Sequence, residues 1–529
     1  MKKKSGPNWL PRAIFYQIYP QSFYDSNDDG IGDIPGIIEK LDYIAWLGVN
    51  ALWLNPCFVS PFQDAGYDVA DFYNVAPRYG TNEDLKRLFE AAHRRKIKVC
   101  LDLVPGHTSI EHLWFKASCR HERNEFSDRY IWTNSTWDHV DDRMKFILGY
   151  AERDGAYATN FFYCQPALNY GYANPKHPWQ QPIDAPGPRA MRKELCKIMA
   201  FWLDLGCDGF RVDMAASLIK NDPGNKETKN LWREIRQWLD KDYPDAVLIA
   251  EWGDPMEAID AGFHIDFMLH FNAPGYPSLF FNEKGVLSFK NCYFDRRGTG
   301  TVTGFLTEYL KQKQNSEGGF IAIPSSNHDI QRPRVGRSEQ ELKVIFTFLL
   351  TWQSVPFIYY GDEIGLRYLF GLTSKEGGYW RTGSRTPMQW DNNQNAGFST
   401  ASPEKLYLPI DPDRKRPTVK AQETDHSSLL NHVRDLIELR KRNIALQADG
   451  NLKILYSKPY EYPFVYLRKK DSEKFLVAIN PANREVTATF EMEGLHEGQK
   501  IVGDNVRITL KNNKISLTMD RISSAVIKF

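Results

Sequence analysis

RAMRKELCKIMAFWLDLGCDGFRVDM, residues 189–214, places two periodicities side by side. Met191, Leu195, Ile198, Met199, Trp202 and Leu205 recur at helical spacing, so 189–205 reads as an amphipathic helix. GFRVDM (209–214) then forms a short apolar run closing on Arg211 and Asp213, as expected of a strand buried on both faces. A helix feeding such a strand predicts a parallel sheet with right-handed crossovers.

The same kind of run recurs on either side. AIFYQIYPQSF (13–23), NALWLNP (50–56) and IKVCLDLVP (97–105) precede it, and AVLIAEW (246–252), HIDFMLHFN (264–272), FIAIPSSNHD (320–329) and PFIYYGDEIG (356–365) follow. Helical patterns lie between them; one opens with Thr81 and Asp84 in capping-box spacing before Leu85, Leu88, Phe89 and Ala92. Eight such strands predict an α/β fold of the (β/α)₈ TIM-barrel type, with a doubly wound open sheet as the competing layout.

Two segments break the rhythm. About 80 residues separate strands three and four, far beyond an ordinary connection, and they are rich in Tyr, Trp, Asn and His. Residues 106–185 are therefore expected to form an inserted subdomain, leaving 1–105 and 186–445 for the barrel. After the helical pattern LLNHVRDLIELRKRN (429–443), the runs FVYLRKK, FLVAIN, EVTATFEM and ISLTMD alternate between turn residues. That pattern predicts a C-terminal antiparallel β-sandwich domain over 446–529.

Composition narrows the function. Lys plus Arg total 67 against 66 for Asp plus Glu, which removes the electrostatic case for nucleic acid or an anionic membrane as partner. No uninterrupted 18-residue apolar run occurs, and the basic start MKKKSGPNWLPRAIF lacks the apolar core of a signal peptide. The seven cysteines are scattered without CxxC spacing, which suits free thiols in a reducing, cytoplasmic setting. Neutral substrates fit this balance better.

In a barrel of this type the C-terminal ends of the strands face the active site. Here they carry Asp102 and His107, Arg211 and Asp213, Glu251, and His328 and Asp329. Any single strand-end carboxylate can merely cap the next helix; a set converging on one mouth points to chemistry. Carboxylates around one cleft fit glycoside cleavage, in which one attacks the anomeric carbon and another protonates the leaving oxygen. Arg211 and Asp213 stand at i and i+2 on a strand and so share a face, where the guanidinium can keep that carboxylate ionised.

DLVPGHTS (102–109), GFRVDMA (209–215), AEW (250–252) and SSNHD (325–329), in this order, resemble the hallmark regions of the α-amylase clan of glycoside hydrolases. GYDV (66–69), QPALN (165–169) and RTPMQWD (385–391) resemble its oligo-1,6-glucosidase, α-glucosidase and trehalose synthase branch. The resemblance implies Asp213 as nucleophile, Glu251 as general acid/base and Asp329 as transition-state stabiliser. It implies sugar contacts from Tyr67, His107, Arg211 and His328, with Asp68 and Arg385 clamping a terminal glucose. The expected activity is a retaining, exo-acting α-glucoside hydrolase of short α-glucans, its partner a small oligosaccharide. An α-glucosyl transferase or trehalose synthase-like isomerase, an endo-acting amylase and an inactive carbohydrate-binding barrel are the alternatives.

Three residues depart from the family pattern. Gly106 stands where Asn is usual, which leaves an amylase-type calcium site at that strand end in doubt. Ala167 replaces a usual Asp, and Met214 matches neither the Val of α-1,6 specificity nor the Thr of α-1,4 specificity, so linkage stays open. One metal motif remains: DSNDDGIGD (25–33) offers Asp25, Asn27, Asp29, the Ile31 carbonyl and Asp33 at alternating positions, suiting structural Ca²⁺ or Mg²⁺. Gly36 stands where an EF-hand would need its closing Glu, so a full EF-hand is not expected. The string resembles the cation loop of the oligo-1,6-glucosidase branch.

Overall fold

A computed structural model describes residues 6–140, 144–271, 275–281, 290–492, 499–503, 506–511 and 514–529. Residues 1–5 of the basic start and Asn272 of the sixth apolar run lie outside these. All eight runs contain a barrel strand: β1 (Phe15–Ile18), β2 (Ala51–Leu54), β3 (Lys98–Leu103), β4 (Gly209–Val212), β5 (Val247–Ala250), β6 (Ile265–Phe267), β7 (Phe320–Pro324) and β8 (Val355–Tyr359). They pair in parallel and in chain order, and β1 closes the barrel on β8.

Continuous burial along the strands follows from the two faces they cover. One face fills the barrel with Phe15, Trp53, Ile249, Phe267 and Phe357, the Phe15 and Phe357 rings stacking at 4.3 Å. The other faces the helical ring. There α1 (Asn82–Arg94) starts at the Thr81–Asp84 capping box and buries Leu85, Leu88, Phe89 and Ala92. Helix α2 (Pro186–Leu205) buries Met191, Leu195, Ile198, Met199 and Trp202 and stops at Gly206, whose left-handed backbone suits a helix end.

Between β3 and α2 the chain builds a small body with its own core of Ile131, Ala158, Ala167, Tyr172 and Trp179, crossed by a hairpin of Lys145–Leu148 with Ala156–Thr159. Beyond the last barrel helix, α3 (Leu429–Arg442), antiparallel strands form two sheets of five and three strands. The inward-outward alternation of Val486–Glu491 shows why that part reads as half-buried β. All seven cysteines are free, and Cys57, Cys100, Cys164, Cys207 and Cys292 are buried. No helix among the described residues is long and apolar enough to cross a membrane.

Candidate active site

Strand register assembles the centre of the site. Asp102 on β3 lies directly opposite Arg211 on β4, and Asp213 and Glu251 follow at the ends of β4 and β5. Arg211 is 2% exposed. Its Nη1 donates to Asp102 Oδ1 at 2.8 Å and to Asp213 Oδ1 at 3.0 Å, and its Nη2 pairs with Glu251 Oε1. One guanidinium thus holds three carboxylates, and the Asp213 and Glu251 side chains come within hydrogen-bond reach of each other. Met214, at φ 44°, occupies the left-handed region rare for such a residue, and its N–H donates to Glu251 Oε2 at 3.1 Å. That strained turn joins the two acidic strand ends.

Burial pushes Glu251 up to about 8, with Arg211 opposing and Asp213 and Asp329 adding like-charge repulsion. Burial raises Asp213 to about 7, again against Arg211 and with Asp102 adding repulsion. Asp329 goes the other way. Against the cost of its burial, neighbouring His328 when protonated and the guanidinium groups of Arg381 and Arg385 hold it well below the usual carboxylate range. Two acids inclined to keep a proton and one carboxylate fixed as an anion therefore stand around one cleft.

A polar layer supports this group from below. Tyr67 Oη donates to Asp102 Oδ2 at 2.9 Å and meets His328 Nε2 at 2.8 Å, its ring stacked on the imidazole. Gln17 Nε2 contacts His328 Nδ1 at 3.0 Å. Burial lowers His328 to about 3 and His107 to about 4, so both rings are neutral near pH 7. His107 Nε2 sits 3.0 Å from the Tyr67 carbonyl.

The cleft has a volume of about 760 Å³, and its walls include Asp64, Tyr67, His107, Asp213, Met214, Glu251, Asp329 and Arg381. Arg211 and His328, expected to touch sugar, stand directly behind this lining, Arg211 on Asp102, Asp213 and Glu251 and His328 beside Asp329 at 3.2 Å. The expected Asp68–Arg385 clamp needs correction. Asp68 is fully buried and faces its own loop, where Ser60 Oγ and the N–H groups of Gln63 and Asp64 satisfy its oxygens at 2.8–3.0 Å. Arg385 donates to the His328 carbonyl at 2.9 Å and to Asp329 at 3.1 Å from behind the wall. The groups that do face the cleft stand four residues earlier in each motif. Arg381 Nη1 donates to Asp329 Oδ1 at 2.7 Å, and its Nη2 lies 3.8 Å from Asp64 Oδ1.

Sequence reasoning also missed the apolar collar of Phe161, Phe162, Trp252, Phe271, Tyr379 and Trp380. Tyr379 and Trp380 belong to the short helix Tyr379–Ser384, which also carries Arg381; the Tyr-Trp-Arg triplet just before RTPMQWD was the available signal.

The departures acquire physical reasons. A side chain at position 106 would bring its Cβ within 2.6 Å of Asn160 Nδ2, so the Asn160 amide, which fills this space, would have to move aside to admit it. Lys220 Nζ instead donates to Asn160 Oδ1 at 3.1 Å and to the Ser217 carbonyl, placing an ammonium at this junction. Ala167 packs inside the inserted body, whose contribution to the cleft comes from His107, Phe161 and Phe162.

The 25–33 loop lies apart from this chemistry. Asp25 accepts from the N–H groups of Asn27, Asp28 and Gly30 at 2.8–3.1 Å, Asn27 Oδ1 from Asp29 N–H at 3.0 Å and Asp29 Oδ1 from Ile31 N–H at 2.8 Å. Asp33 caps the helix Ile34–Glu39. Gly30 is required, because a Cβ would meet the Lys405 carbonyl at 2.2 Å. Among the described residues no three His, Cys, Asp or Glu side chains gather closely enough to hold a metal on their own. A cation here would also need the Asn27 amide oxygen and the Ile31 carbonyl; that all-oxygen set fits a hard cation.

A family model described as the α-amylase catalytic domain matches residues 17–449. A trehalose synthase/amylase of Mycolicibacterium smegmatis is 33% identical over 483 residues, covering 83% of this chain and 77% of that protein. An oligo-1,6-glucosidase of Parageobacillus thermoglucosidasius is 31% identical over 534 residues, covering 89% of this chain and 90% of the other. Among solved structures, isomaltulose synthase from Erwinia rhapontici superposes with a TM-score of 0.81 at 27% identity, covering 99% of each chain.

Proposed function

The chain belongs to the α-amylase family and is an enzyme acting on α-glucosides; from that premise we propose a retaining, exo-acting α-glucosidase of short α-glucans. The observation that carries the reading is that one guanidinium, Arg211, holds both Asp213 and Glu251 and so keeps the two carboxyl groups close together. Inverting pairs stand about 6.5–9.5 Å apart to admit a water, whereas retaining pairs stand about 5–5.5 Å apart. In this reading Asp213, oriented by Arg211, attacks the anomeric carbon. Glu251, kept protonated by burial, gives its proton to the leaving oxygen and then takes one from the incoming water. Asp329 holds negative charge beside the developing oxocarbenium ion.

Asp64 and Arg381 supply the exo character: together they offer an acceptor and a planar donor fork to the terminal sugar's hydroxyls. Maltotriose followed by proton NMR tests both parts. We expect α-glucose and maltose from the first time points. A β-anomer as first product would overturn Asp213 as nucleophile, and release of reporter from an end-blocked maltoheptaoside without prior unblocking would overturn the exo reading.

The aromatic collar favours a second reading. Six apolar side chains beside Glu251 suit stacking of an acceptor sugar in place of water, so glucosyl transfer or isomerisation would use the same intermediate. Product analysis at high sugar concentration separates the two. We also propose that the 25–33 loop binds Ca²⁺ as a structural ion, away from the reacting carboxylates.

A further inference from the structure

A second cavity, of about 360 Å³, opens where the loops after β7 and β8 meet, and its walls include Arg296, Arg334, Arg337, Arg367, Tyr368 and Phe370. Four arginines line it, and its walls contain no Asp or Glu. Their partners differ. Arg296 pairs with Glu341 at 2.9 Å, and Arg367 pairs with Asp411 and Asp413 at 3.3 and 2.5 Å. Arg337 donates to the carbonyls of Phe280, Phe294 and Pro333 at 2.7–3.0 Å. Arg334 is half-buried, and among the described residues its guanidinium has neither an ion-pair nor a hydrogen-bond partner. Burial lowers its pKa, and repulsion from Arg367 and Arg296 adds to this against the pull of Glu339 and Glu341.

A half-buried cation with no partner, in a cavity lined by three further arginines and no carboxylate, leaves its donors open to an anion. Guanidinium forks match phosphate oxygens bidentately. Beside Arg334, Tyr368 is buried and Phe370 is 63% exposed, with ring centroids 4.7 Å apart. Such ring faces cover the apolar side of a sugar. We infer that this cavity binds a sugar phosphate monoester, its phosphate on Arg334 and its ring against the exposed Phe370, which Tyr368 props from behind.

The cavity is wired to the cleft. Tyr368 Oη donates to the Trp380 carbonyl, and Leu369 N–H donates to the Gly383 carbonyl at 3.1 Å. Trp380 and Arg381 stand in the cleft wall, so an occupant braces the segment that carries them.

Calorimetric titration of the full chain at low ionic strength, with inorganic phosphate and with glucose 6-phosphate as probes, tests this site. The hexose phosphate is expected to bind at least about 10-fold more tightly than inorganic phosphate, and more weakly as salt screens the contact. Arg334→Gln should weaken it at least about 10-fold, while the melting temperature does not fall and unliganded turnover of a chromogenic α-glucoside stays unchanged. Should that variant fail to fold, Phe370→Ala at the exposed rim carries the test and should weaken the hexose phosphate alone. Absence of binding, or binding indifferent to both substitutions, overturns the site; equal affinity for the two probes overturns its sugar-binding half.

Discussion

Arg211 at the barrel mouth and the pair Arg440 and Arg468 at the barrel's junction with the C-terminal sheets are all at most 2% exposed, yet their surroundings are opposite. Arg211 faces Asp102, Asp213 and Glu251. Arg440 donates to the carbonyls of Leu350, Trp352 and Ser354, and Arg468 to those of Thr351, Gln447 and Gly450. The carboxylates raise the pKa of Arg211 even against its burial. Burial, with repulsion from Arg468 adding to it, lowers Arg440 to about 9, and burial lowers Arg468 to about 10. Where carboxylates outnumber a buried cation, proton affinities are tuned for chemistry; where carbonyls surround it, the cation closes the end of the helix Glu339–Thr351 and ties it to a neighbouring sheet.

The largest effect that could break this contrast comes from paired substitutions. Asp213→Asn should lower kcat by on the order of 10⁴- to 10⁶-fold with little change in melting temperature. Arg468→Met should leave kcat per folded molecule within about twofold and cost about 2–5 kcal/mol of stability, because buried carbonyls lose their donor. Steady-state kinetics and thermal melts on both variants decide the matter. A stable but inactive Arg468→Met would erase the distinction between tuned site and structural clasp.

The fold was legible because barrel strands, buried on both faces, leave continuous apolar runs; GFRVDM contains β4 whole. The carboxylate cluster was legible for the same reason, since strand ends are fixed once strands are. The clamp was not. Asp68 and Arg385 sit inside conspicuous motifs, but loop geometry decides which side chain faces the cleft. Asp68 spends its oxygens on Ser60, Gln63 and Asp64, and the short helix Tyr379–Ser384 presents Arg381 instead. No period or spacing encodes such turns. Nor did sequence reveal that Arg440 and Arg468, on an amphipathic helix and an alternating strand, point into the junction.

A smaller effect sharpens the comparison within the site itself. Activity requires Asp213 deprotonated, so it should rise with pH through about 7; it requires Glu251 protonated, so it should fall through about 8. The expected profile is a narrow bell between those values. Asp102 raises the pKa of Asp213 by like-charge repulsion, so Asp102→Asn should move the acid limb to lower pH. Its cost at the optimum should stay below about 100-fold, that of a slightly displaced group. An acid limb that stays in place, measured as kcat/KM against pH, would detach Asp102 from the tuning of Asp213.

The smallest expected effect concerns a third place where carboxylates gather. Asp25, Asp28, Asp29 and Asp33 form no ion pair among the described residues, unlike the cleft acids with their arginine. The loop is anchored: Asp25 N–H donates to the Phe398 carbonyl at 3.0 Å, Asp25 accepts from Ser399 Oγ at 2.6 Å, and Tyr407 N–H donates to the Gly30 carbonyl at 3.1 Å. A bound Ca²⁺ would therefore act on folding by fastening the first βα loop to 398–407, rather than on the reacting carboxylates. An ion present at about 100 times its Kd stabilises by about 2.7 kcal/mol, which in a chain of this size is a shift of a few degrees at most. Exhaustive chelation should lower the melting temperature by that amount and leave kcat, measured well below melting, within about twofold. Asp29→Ala should reproduce the shift and abolish the response to chelator. An unchanged melt, with no metal by elemental analysis of the purified protein, would show that hydrogen bonds alone hold this acidic turn, and that carboxylates can gather in this fold without a cation of any kind.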